Sequence, residues 1–201
     1  MKKICFILAA LCCITMVQAK GIPSEIMKDG KAKYVKSTNT LVLEDGFKYS
    51  LGKGLVVFDT GKDLRIRLKG SAEFRASLLS KDNLIIEAEK PAMLSITSNI
   101  SGSALQCPAL MVNKDATVSL LSRNSQEGMY ALSCEAITVN AATLLAEVTT
   151  TNLAVQTKQL NLNGSWLEKP KGGFVDKEKA CICYGDSLPA KRVRITLEKK
   201  Q

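Results

Sequence analysis

The chain contains no histidine. That absence removes the usual general base, the usual activator of a hydroxyl or thiol nucleophile, and the commonest metal ligand. Aromatic residues make up 5% of the sequence, with a single tryptophan at Trp166. So sparse a set gives no platform for stacking bases, which argues against a nucleic-acid partner. Aspartate-rich calcium repeats are missing too, so no metal or other cofactor is implied. Beyond residue 19, no segment repeats its apolar residues at helical spacing.

What the sequence does have is a long-range repeat of short apolar segments. Ala104 to Val112 reads ALQCPALMV, Ala131 to Val139 reads ALSCEAITV, and Ala154 to Leu162 reads AVQTKQLNL. Superposed, they align Leu105, Leu132 and Val155, then Cys107, Cys134 and Thr157, then Leu110, Ile137 and Leu160, then Asn113, Asn140 and Asn163. The steps are 27 residues (104 to 131) and 23 residues (131 to 154). Short strands recurring at such a period mark a solenoid, in which each coil buries its apolar face against its neighbours.

Upstream the same design is visible. Leu64, Ile66 and Leu68 alternate with Arg65, Arg67 and Lys69, the period of a half-buried strand. Leu84 and Ile86 match Leu64 and Ile66, and Leu94 and Ile96 match Phe74 and Ala76. Later copies have second strands near Val118–Leu120, Leu144–Leu145 and Trp166–Leu167, and a closing strand alternates through Val193, Ile195 and Leu197. Copies of this kind must stack in parallel, so the sequence predicts an all-β, single-stranded, right-handed parallel β-helix of about six coils. A β-sandwich also offers many short strands, but gives no reason for like residues to recur at each coil.

Residues 1–19 read as an export signal: Lys2 and Lys3, an apolar run from Ile4 to Val17, and Val17-Gln18-Ala19 before a cut at Lys20. The run is too short for a membrane span, which needs about 20 residues. Cys12 and Cys13 lack the preceding residues of a lipidation site. Residues 20–201 then form one β-helix domain, with 20–33 as a loose lead-in or cap, placed in the periplasm, on the outer surface or outside the cell. Removing Lys2 and Lys3 from 28 basic residues leaves 26 against 19 acidic, a net charge of +7. The charges are scattered, as on a solvated surface. Arg65 and Arg67 face outward together without acidic partners in sequence, and Lys191, Arg192, Arg194, Lys199 and Lys200 form a basic end suited to guard the last coil.

Few residues are candidates for chemistry. Cys107 and Cys134 occupy one slot in adjacent coils, ~4.8 Å apart in a parallel stack. They are either a disulfide or a ladder of buried free thiols continued by Thr157. Cys181-x-Cys183, without a second pair, is no zinc site. Asn113, Asn140 and Asn163 suit a turn ladder, because asparagine tolerates left-handed backbone and stacked amides bond one another. Trp166 is a candidate glycan contact or a packing residue. Outward Glu87, Asp115, Glu135 and Glu147 fall in different registers and give no recurring carboxylate pair for a glycosidase.

The segments YVKSTNTLVL (34–43), DLRIRLKG (63–70), LNLNGSWLEKPKGG (160–173) and LPAKRVRI (188–195) carry a resemblance. The chain resembles secreted β-helical repeat proteins of the Bacteroides group of Gram-negative anaerobes, loosely labelled carbohydrate-binding or of unknown function. The resemblance implies fold and export, and transfers no catalytic residue. Asp186-Ser187-Leu188 is similar to the short O-glycosylation motif of that group. The expectation is a non-catalytic exported module that binds a glycan or another surface protein, its oligomeric state left open. The alternative is a polysaccharide-degrading enzyme, suggested by the fold alone.

Overall fold

The computed structural model describes residues 15–18, 21–99, 102–123, 129–150 and 153–197. Most of the expected export signal lies outside them. Of that stretch Thr15–Gln18 is described, as a strand paired in parallel with Gly54 to Val57. No helix among the described residues is long and apolar enough to cross a membrane.

The chain forms a parallel β-helix of about five turns, one fewer than the repeats suggest. One sheet stacks Thr40–Leu43, Leu64–Leu68, Leu84–Ala88, Ala109–Val112, Ala136–Asn140 and Gln159–Asn163 in parallel. A larger sheet wraps the remaining faces. Its main ladder runs from Phe47–Phe58 through Ala72–Ser80, Ala92–Ser98 and Ala116–Ser122 to Thr143–Val148. A narrow second ladder of Leu105–Gln106, Leu132–Ser133 and Val155–Gln156 joins it through Ala72–Ser80.

The repeat arises because every inward position meets its own kind one turn away. Leu84, Leu110, Ile137 and Leu160 stand in one column, and Ile86, Val112, Val139 and Leu162 in the next. All are buried except the last members, Leu160 and Leu162, which are half-buried because no further turn covers them. At the other end the core is aromatic, with Phe47, Phe58 and Phe74 buried and the rings of Phe47 and Phe74 5.1 Å apart. Within residues 21–33, Ser24–Met27 is a short 3-10 helix, and Ile22 and Ile26 are buried. Asn39, left-handed and buried, ties this end by donating from Nδ2 to Lys62 O at 2.9 Å and Asp63 O at 2.7 Å.

Three expectations are corrected. Leu64 and Ile66 do stack on Leu84 and Ile86, but Leu94 pairs with Ala72 and Ile96 with Phe74. The two copies slip by two residues at the corner, and an even slip keeps the same side chains inside. Trp166–Leu167 does not stack beneath Leu144. Arg192–Leu197 inserts antiparallel between them, so Ile195 pairs with Leu144 on one side and Leu167 on the other. Arg65 and Arg67 are not without acidic partners. Both reach Glu87 on the next turn, at 3.2 and 2.8 Å. At the basic end Arg192 likewise pairs with Glu147, and Arg194 with Glu168 at 2.9 Å.

Candidate functional site

A concavity lies at one corner, where the narrow ladder turns into the first sheet. Along each turn the inward residue Leu105, Leu132 or Val155 is followed by an outward Gln106, Ser133 or Gln156. A buried Cys107, Cys134 or Thr157 comes next, then an exposed Pro108, Glu135 or Lys158. The next inward residue comes three positions after the buried one, at Leu110, Ile137 and Leu160, rather than two. That extra residue breaks the alternation and turns the chain, which leaves a re-entrant angle on the outside.

Repeated over successive turns, the angle becomes a groove of about 400 Å³, within the ordinary range for ligand sites. Lys81 of the second turn stands at one end and Ala180 of the C-terminal cap at the other. Gln106, Ser133 and Gln156 run along its length in register, and Ser133 Oγ donates to Gln156 Oε1 at 2.7 Å. The rim carries Lys158 paired with Glu135 at 2.9 Å, and Lys81 paired with Asp59 at 2.7 Å. Glu135 is the one carboxylate among the lining residues. A glycosidase needs two, about 5–10 Å apart.

The floor is sulfur. The pairings on either side, Gln106 with Ser133 and Ala109 with Ala136, set Cys107 beside Cys134. Both are free and buried, so the ladder of thiols is the arrangement present, with Thr157 as its next member. The hydrogen bond between the two thiols, together with burial, holds Cys107 well above the ordinary thiol range. It stays a neutral thiol at ordinary pH, a poor nucleophile and a poor metal ligand. Thr157 Oγ1 donates instead to backbone, Glu135 O at 3.2 Å or Gln159 O at 3.0 Å.

The other candidates lie away from the groove. Trp166 is 43% exposed on Ser165–Lys169, at the C-terminal end. Asn113, Asn140 and Asn163 form a ladder: Asn140 Nδ2 donates to Asn113 Oδ1 at 2.9 Å, and Asn163 Nδ2 to Asn140 Oδ1 at 2.7 Å. None of the three is left-handed. The positive φ falls just after them, on Asp115, Ala141 and Gly164. The asparagines therefore sit there for their amides, not for their backbone. Cys181 and Cys183 are buried with their sulfurs 3.2 Å apart, and burial first, then the bond from Cys183, pushes Cys181 up to about 12. No group of three or more metal-ligating side chains occurs among the described residues. Asp186-Ser187-Leu188 lies at the turn between Cys181–Tyr184 and Leu188–Pro189, with Asp186 and Leu188 exposed.

Gln106, Ser133 and Gln156 were not singled out from the sequence. Their signal was in the aligned copies, one position after Leu105, Leu132 and Val155. A scan against family models, curated proteins and solved structures finds no match to the chain.

Proposed function

We propose that this chain is an exported, non-catalytic binding module whose corner groove holds a stretch of a glycan. One observation carries the reading: the same outward polar slot is filled by Gln106, Ser133 and Gln156 on three consecutive turns, inside one groove. Strands of a stack lie ~4.8 Å apart, so the groove offers hydrogen-bond partners at a regular spacing to a polymer that is itself regular. Amides and hydroxyls both donate and accept, as sugar hydroxyls do. The basic start and apolar run of residues 1–19 support export to the periplasm, the outer surface or the medium. The single carboxylate, Glu135, held by Lys158, favours binding over hydrolysis.

A glycan array probed with residues 20–201 tests the reading. Binding is expected, and Gln106→Ala with Gln156→Ala should reduce it about tenfold or more, the loss of two hydrogen bonds. No binding, or binding untouched by both changes, overturns the groove. Reducing ends released above a heat-killed control would move the chain to the enzyme alternative.

A further inference from the structure

At the C-terminal end both ladders of the larger sheet are extended by antiparallel strands of the chain itself, ending in Ser165–Lys169, which carries Glu168 and Lys169, and in Phe174–Asp176. Arg192–Leu197 pairs antiparallel with Thr143–Val148, and Cys181–Tyr184 pairs antiparallel with Val155–Gln156. The N-terminal edge of the smaller sheet is closed in the same way, by Ala32–Val35 on Thr40–Leu43. That capping strand presents an exposed Lys33, the kind of charge that discourages further pairing. The opposite edge has neither device. Among the described residues Gln159–Asn163 pairs only with Ala136–Asn140, and the strand contains no charge and no proline.

The open edge has a definite hydrogen-bonding pattern. Gln159 N donates to Glu135 O, and Asn163 O accepts from Ala141 N, so residues 159, 161 and 163 turn their backbone groups toward the preceding turn. The N–H and C=O groups of Leu160 and Leu162 therefore point off the end of the stack. Side chains alternate correspondingly. Gln159, Asn161 and Asn163 are exposed amides, while Leu160 and Leu162 face the core half-buried.

We propose that this edge is a homodimer interface, in which Gln159–Asn163 pairs antiparallel with the same strand of a second copy about a two-fold axis through Asn161. The strand complements itself. Leu160 opposes Leu162 of the partner subunit, and each pair exchanges two hydrogen bonds, four in all, through the groups left free. On the outer face Gln159 meets the partner's Asn163, and Asn161 meets the partner's Asn161, amide against amide. On the inner face leucine meets leucine and completes the burial that the last turn lacks. With no charge on the strand, a net-positive molecule does not repel its copy at the contact. A specific dimer buries about 1,200–2,000 Å² in total, more than one short strand supplies. Trp166 and Leu197, 43% and 51% exposed on the strands that follow and close this end, supply apolar surface beside it.

Sedimentation of residues 20–201 across a concentration series tests this directly. A monomer–dimer equilibrium is expected. Asn161→Lys places two lysines opposite each other across the axis and should weaken it about tenfold or more. Leu162→Pro deletes one outward N–H without touching the ladder to the preceding turn, and should give a monomer with an unchanged β circular dichroism spectrum. Asn161→Cys should form an intermolecular disulfide with glutathione disulfide as oxidant, since a non-hydrogen-bonded antiparallel pair sits ~4.5 Å apart at Cα. A monomer at every concentration, open-ended growth beyond two copies, or a dimer indifferent to Asn161→Lys that yields no crosslink each overturns the interface. Glycan binding serves as a separate readout, because Asn161 does not line the groove.

Discussion

At the scale of single residues, the stack makes neighbours in sequence energetically unlike. Ile137 is fully buried between Leu110 and Leu160, while Thr138 beside it faces outward, half-buried. Truncating a packed core side chain loses its transfer free energy and leaves a cavity that a rigid stack cannot close. Ile137→Ala should therefore cost about 2–5 kcal/mol in a denaturant melt, and Thr138→Ala should stay within about 0.5 kcal/mol. Equal effects would mean that the two side chains have exchanged faces, a one-residue shift of register. The ion pairs on the outer face work on a smaller scale. Arg65 and Arg67 bracket Glu87 across turns but remain 45% and 42% exposed, so they guide pairing more than they stabilise it.

At the scale of elements, stacking was legible wherever like residues recur at the same slot. The columns through Leu105, Leu110, Val112 and Asn140 appear as aligned letters, because a parallel ladder places each residue directly on its homologue. Corners were not legible. The two-residue slip between Ala72 and Leu94 leaves the inside and outside pattern unchanged, so alternation alone does not register it. The C-terminal insertion was hidden for a related reason: Ile195 satisfies the slot under Leu144 as well as Leu167 would, and direction leaves no mark on a short alternating strand. The groove was readable only in part, since its polar ladder becomes a site once the corner bends around it. The asparagine ladder can be tested as an element. Asn140 bonds both neighbours through its amide, and Asn113 and Asn163 bond one each within it. Asn140→Ala should cost about 1–3 kcal/mol and either terminal change about half that, at roughly 1 kcal/mol per bond. Equal losses at Asn113 and Asn140 by urea midpoint would show that the amides act singly.

At the scale of the whole molecule, stability is a sum over turns and their contacts, and cysteine is distributed unevenly along it. All four cysteines of the described residues, Cys107, Cys134, Cys181 and Cys183, lie in the later turns and the C-terminal cap. Hydrogen bonding between thiols and burial raise Cys107, and burial raises Cys181 to about 12. An unfolded chain releases thiol protons near pH 8.5, whereas the folded chain keeps these two. The folded state therefore binds more protons above that pH. The stability these thiols contribute is fully present below about 8.5 and falls as pH rises toward the folded values. Raising pH from 8.5 to 10 should therefore remove part of the stability that these thiols contribute. The measurement is the urea midpoint at pH 7.5, 8.5 and 10 under reducing conditions, for the parent and for Cys107→Ala, read from Trp166 fluorescence near the affected turns. Cys107→Ala should be less stable at pH 7.5, because it empties a buried site, and should lose less between pH 8.5 and 10. A variant that loses as much as the parent would show that Cys107 titrates freely, and that the groove floor is open to water rather than sealed beneath the ladder of Gln106, Ser133 and Gln156.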